Sequence, residues 1–231
     1  MKKVFGIAAM LLALAACNKI ETEIQTTDQA KGITITAQLA PKTGGATTRA
    51  VSDGGNKIVA DWAVNEHIAV LYTKDETKYV ADATITAVDG DGAATITFEV
   101  ESGTPDNTAC TLVYPAKLTD GTTTVYKDDL SGVKDAATLL AAQNGTLNAN
   151  LDVRVGVGTI QTTTPGLTVT TQPAVQFAIF KFTLQDLSAV AKSATEFKVS
   201  DGSGNVMTTV TPGSASGELY VALPVMATGT Y

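Results

Sequence analysis

The chain is poor in the residues on which most catalytic and metal chemistry rests. It has one histidine, His67, in 231 residues, so any triad or metal cluster that needs two fails by arithmetic. His67 stands just before an apolar alternation, Ile68 to Tyr72, and reads as a surface or strand-edge residue. There are two cysteines, Cys17 and Cys110. Cys110 lies in Ala109-Cys110-Thr111-Leu112-Val113-Tyr114 and reads as a small core residue rather than a reactive thiol. Trp62 is the only tryptophan. It precedes a strand, where core packing is the expected role over sugar stacking. Basic charge is also scarce. Sixteen Lys and Arg face twenty-three Asp and Glu, an acidic balance that repels nucleic acid and anionic lipid surfaces.

The short motifs that suggest chemistry are all broken. Gly213-Ser-Ala-Ser-Gly217 has Ala where a nucleophile elbow needs Ser. Gly156-Val-Gly158 lacks the third glycine of a dinucleotide fingerprint. Asp89-Gly-Asp91-Gly begins like a calcium loop, but Ala93 takes the third ligand position and no closing Glu follows, so it reads as a hairpin turn. Asp128-Asp129 and Glu99/Glu101 read as solvated charges rather than an acid pair. The expectation is a protein that is not an enzyme, with no cofactor, no metal and no nucleic-acid partner.

What is present starts at the N-terminus. Lys2 and Lys3 precede an unbroken apolar and small run, Val4 to Ala16. Residues 1–16 therefore read as a secretory signal peptide, too short to span a bilayer as a helix. Cys17 directly after Leu14-Ala15-Ala16 makes the stretch look like a bacterial lipobox. That resemblance implies cleavage before Cys17 and thioether lipidation of Cys17; the alternative is a plain secreted protein with an incidental cysteine. Lipidation of Cys17 leaves no intrachain disulfide, so stability rests on core packing. Removing Lys2 and Lys3 with the leader makes the formal charge of −7 more negative by two, so membrane contact would come from lipid, not from a basic patch. Residues 17–31 are polar and aperiodic and read as a flexible tether.

From Gly32 on, period-two alternation dominates. Ile33, Ile35, Ala37 and Leu39 face one way, with Thr34, Thr36 and Gln38 between. A Gly- and Thr-rich loop, 41–56, follows. Ile68, Val70 and Tyr72 alternate, and Tyr79 to Ala87 pairs with Ala94 to Val100 across the Asp89–Gly92 turn as the clearest hairpin. The stretch 133–143 is the one credible helix. The run Thr162-Thr163-Thr164-Pro165-Gly166 reads as a domain boundary. Beyond it, 174–184 is apolar on both faces and reads as a central strand. The expected class is all-β: a β-sandwich domain over 32–165 and a second β domain over 166–231. At this length the second is small or incomplete for a self-sufficient sandwich.

Four features, taken in order, resemble the fimbrillin family of Bacteroidales, lipoprotein pilins of the type V kind. They are the lipobox with its tether; the first strand followed by Thr47-Thr48-Arg49-Ala50; the stretch Asp61-Trp62-Ala63-Val64-Asn65-Glu66-His67-Ile68, a partial match to a Trp-x-x-Gly-Asp-x-Ile pattern; and Ala178 to Leu184 with Glu218 to Pro224. The resemblance implies two transthyretin-like or Ig-like β-sandwiches and a lipid-anchored, surface-exposed subunit of a fimbria in the outer membrane, with a stalk or an accessory and tip role in adhesion. It implies other pilin subunits as partners through strand donation, with a host surface or glycan as a further partner. It also implies cleavage after Arg49 by a trypsin-like protease and loss of the strand carrying Ile33, Ile35 and Leu39; Arg49 as an ordinary solvated loop residue is the alternative. Burial of three such side chains contributes roughly 5–9 kcal/mol as an upper bound, so the strand's loss would leave a groove that a donated strand repairs. A second reading is a surface lipoprotein that captures glycan for an outer-membrane uptake system.

Overall fold

The computed structural model describes residues 32–42, 51–53 and 58–224. Cys17 and Arg49 lie outside these residues. In chain order the elements are β1 (Ile33–Leu39), β2 (Val51–Asp53), β3 (Ile58–Ala60), β4 (His67–Lys74), β5 (Thr77–Val88), β6 (Ala94–Val100), β7 (Thr108–Tyr114), α1 (Ala136–Leu140), a 3-10 turn at Ala149–Leu151, β8 (Arg154–Gln161), β9 (Gly166–Val175), β10 (Phe177–Thr183), β11 (Phe197–Ser200), β12 (Val206–Val210) and β13 (Glu218–Pro224). The class is all-β with one short helix, as the alternation predicts.

Seven strands make one antiparallel sheet in the order β1-β6-β5-β4-β7-β8-β9. Strand side chains alternate between faces, so each strand sends every second residue inward. Ile35 and Leu39 of β1, Ile68 and Val70 of β4, Ala83 and Ile85 of β5, Ile96 and Phe98 of β6, and Leu112 and Tyr114 of β7 meet with Trp62 and Ile160 in one core. Leu167 and Val169 of the far edge strand pack against the same cluster. The sheet therefore curls until its two edges approach, and Ala40 N beyond β1 donates to the Gln172 side-chain oxygen of β9 at 3.1 Å.

The outer face of the middle strands is covered as well. Ala69 and Leu71 of β4 and Val113 of β7 lie under Val125, Leu139, Leu140, Leu151, Phe177 and Ala222. This second layer is why β4 is buried on both faces. Helix α1 is shorter than the expected 133–143. Asp135 caps it by accepting from Thr138 N, and its two buried residues are Leu139 and Leu140. The expected β5–β6 hairpin is present, and Asp89 Oδ1 accepts from Asp91 N and Ala93 N to close the turn.

Two further details differ from the reading of the sequence. The Thr162–Gly166 run is the turn of the β8–β9 hairpin, where Asp106 Oδ1 accepts from Thr162 N and Thr163 N. The large sheet thus continues through Val175, past the boundary expected at 165, and the described residues from Gly32 on belong to one compact unit. The 174–184 stretch is not a central strand. Among the described residues its β10 pairs with β13 alone in a two-stranded ribbon. Phe177 joins the outer layer of the large sheet, Phe182 packs on a small cluster of Val210, Leu219, Val221 and Leu223, and Phe180 stays exposed. Gly156 and Gly158 of β8 have a packing role. A Cβ at either would lie within 3 Å of a β9 carbonyl oxygen, that of Thr171 or of Thr168, so the close approach of β9 needs glycine.

Candidate functional site

The strand singled out by the alternation, β1, is an edge strand. Its full register, Ile33 opposite Val100 to Leu39 opposite Ala94, is with β6. Ile35 and Leu39 are fully buried, Ile33 is half-buried, and Thr34, Thr36 and Gln38 face out. The two buried side chains plug the core where the curled sheet closes.

Immediately beyond β1 the chain places a lysine in the interior. The Lys42 side chain has no solvent exposure. Its Nζ sits 3.5 Å from the ring centre of Tyr114 and 4.2 Å from that of Trp62. Those two rings meet edge to face, 5.2 Å apart at 88°. Trp62 Nε1 donates to Ala40 O at 2.9 Å, which ties the ring to the end of β1. Two carboxylates face the ammonium: Asp152 Oδ2 at 2.9 Å and Glu66 Oε2 at 3.9 Å. Glu66 is itself held, accepting from Tyr114 OH at 2.6 Å and from Ala63 N at 2.9 Å. Arg154 Nε donates to the other oxygen of Asp152, Oδ1, at 2.8 Å.

Each member comes from the end of a strand of the large sheet. Lys42 follows β1, Glu66 precedes β4, Tyr114 closes β7, and Asp152 and Arg154 bracket the start of β8. Strand ends are where a curled sheet brings distant residues to one pole. Burial pulls the Lys42 ammonium below its ordinary pKa, opposed by the charges of Asp152 and Glu66. Burial, reinforced by the Glu66 carboxylate, pushes the Tyr114 phenol well above its ordinary range, so it stays a donor. The arrangement is an amine enclosed by two aromatic faces and two carboxylates, screened from water.

Of the residues read as functional from sequence, Ile33, Ile35 and Leu39 share β1, while Cys17 and Arg49 lie outside the described residues. Trp62 is buried at 1 % exposure, a core residue as expected. Cys110 is buried too. His67 is exposed, with Nδ1 2.8 Å from Asp82 Oδ1. Lys42, Glu66, Asp152 and Arg154 were missed. Glu66 alone left a signal, since it lies in the stretch after Trp62 singled out above. Asn65 takes φ 69°, the left-handed region that glycine favours and asparagine tolerates. Comparisons with family models, curated proteins and solved structures found no match.

Proposed function

We propose that the chain is a structural subunit of a lipid-anchored surface fimbria in which β1 is the exchangeable strand. The observation that supports this reading most is that an edge strand, hydrogen-bonded across its length to β6, supplies two fully buried plugs to the core, Ile35 and Leu39. A strand placed so is separable from the rest of the sheet in a way that a central strand is not. Its departure opens a groove beside β6 with unpaired backbone groups, a template for an incoming strand. The segment that follows carries Arg49 in a Gly- and Thr-rich stretch suited to proteolysis. The buried position of Trp62 removes the chain's only tryptophan as a sugar platform, which weighs against glycan capture.

The test is treatment of the purified protein with a trypsin-like protease, followed by N-terminal sequencing and size measurement. A new terminus at Ala50 together with larger oligomers is the expected result. An Arg49→Ala variant that assembles as well as the parent would overturn it.

A further inference from the structure

We infer that Lys42 and Asp152 are placed to join as an intramolecular amide, with Glu66 as the proton carrier. The reacting atoms are already close, Lys42 Nζ and Asp152 Oδ2 at 2.9 Å. Both atoms are buried, and among the described residues neither has a hydrogen-bond partner outside this pair. The remaining parts of an amide-forming site are also present. Glu66 Oε2 lies 3.9 Å from Nζ. Arg154 Nε holds Oδ1, the oxygen opposite the amine. The faces of Trp62 and Tyr114 wall off the pair.

The step balances as a condensation. A proton passes from the ammonium to the Asp152 carboxylate, leaving a neutral amine and a neutral acid. Nζ attacks Cγ, the N–C bond forms, and charge collects on Oδ1 beside the Arg154 guanidinium. Glu66 accepts a proton from the attacking nitrogen and returns it to Oδ2. The Cγ–Oδ2 bond breaks and one water leaves. No oxidant, nucleotide or metal enters. Burial that lowers the Lys42 pKa favours the amine form that must attack. Strand ends hold the groups in reach, which replaces an encounter with a fixed geometry. The product is uncharged, so two buried charges disappear.

The bond would tie the end of edge strand β1 to the start of β8, next to the opposite edge strand, β9. It clasps the seam where the curled sheet closes. Its consequence for assembly rests on the strand-exchange reading above. After a cut at Arg49, a chain with the bond keeps its β1 segment, and a chain without it releases the segment. Copies that form the bond are thereby held out of exchange, so the oligomers of the protease test come from copies cut before the bond forms, and Lys42→Arg should yield more of them than the parent.

The experiment is tryptic peptide mapping of the full chain purified from membranes in detergent. A branched peptide is expected, in which residues 32–49, uncut at Lys42, are joined to residues 135–154, one water lighter than the two together. Lys42→Arg and Asp152→Ala must each abolish it. Glu66→Gln keeps the shape of the side chain, and its bond should form on the order of 100-fold more slowly after refolding from urea. Separate linear peptides cut at Lys42, from a parent chain with native circular dichroism, would overturn the inference and leave a plain buried ion pair. A Glu66→Gln chain that branches at the parental rate would overturn the role given to Glu66. The peptide map needs no protease-triggered assembly, so it fails or succeeds independently of the exchange reading.

Discussion

Replacing Leu39 by Ala is the sharpest probe of how firmly β1 is held. Leu39 is fully buried at the end of the strand, opposite Ala94 of β6. Three carbons leave the core. At about 0.8 kcal/mol per buried methylene, the transfer part is about 2.4 kcal/mol. The cavity left where the sheet closes adds to this, for a total of about 2–5 kcal/mol. Thr36 lies on the same strand but faces solvent, and its change to Ala should stay within about 0.5 kcal/mol. Urea unfolding followed by tryptophan fluorescence reads both, since Trp62 sits in the same core. With a slope of roughly 2–3 kcal/mol/M, the Leu39→Ala midpoint should fall by about 1–2 M, and the Thr36→Ala midpoint should stay near the parent's. Equal shifts for the two would refute the idea that inward burial docks β1 and would remove the energetic basis for its exchange.

Cys110 is 5 % exposed, and burial pushes its thiol up to about 12. It should resist an aromatic disulfide reagent at pH 8 in the native chain and react fully in denaturant; fast native labelling would contradict its place in the core. The turns give a pH dependence with a definite sign. Asp120, which accepts from the backbone and hydroxyl of Thr123 and from Thr122 N, is held down to about 2 from 3.8. Asp186 and Asp201 are lowered by similar turns. Folded pKa values below the unfolded ones mean that this stability is present above about pH 4 and is lost as pH falls toward 2. Thermal midpoints should therefore drop between pH 4 and 2, and a chain equally stable at both ends of that window would show that these turns are not formed.

The parts of the fold legible in the sequence are those decided within a few residues. Period-two alternation marks β1, β5 and β6, and an Asp-Gly turn joins the last two, because pleat and turn chemistry are local. Neighbour relations are not local. Thr162 to Gly166 has the composition of a linker, but hairpin turns use the same residues, and only the pairing of β9 with β8 tells them apart. The apolar stretch 174–184 misleads for a different reason. Apolar residues on both faces report that both faces are covered, and say nothing of how many strands lie alongside. In β10 one side is covered by the outer layer of the large sheet and the other only in part, at Phe182, by a separate small cluster, while among the described residues β13 is the single strand beside it.

The charged cluster was illegible for a stronger reason. Lys42, Glu66, Asp152 and Arg154 each look, in their own stretch of sequence, like the solvated charges that make up most of an acidic surface. No spacing relates them, because curling of the sheet, not chain periodicity, brings the strand ends together. Lysine is almost never fully buried without a partner, so a lysine side chain with no exposure is informative in a way that its sequence neighbourhood is not. Removing Lys42 alone would strand Asp152 and Glu66 with one cation between them, the costly way to break a buried pair. The chain holds this group of charges at the seam of the sheet, beside the strand that the proposed assembly must release. A seam meant only to open would be sealed at less cost by apolar side chains. Charges with the geometry of a covalent clasp at that one place fit a seam that stays closed wherever the bond has formed.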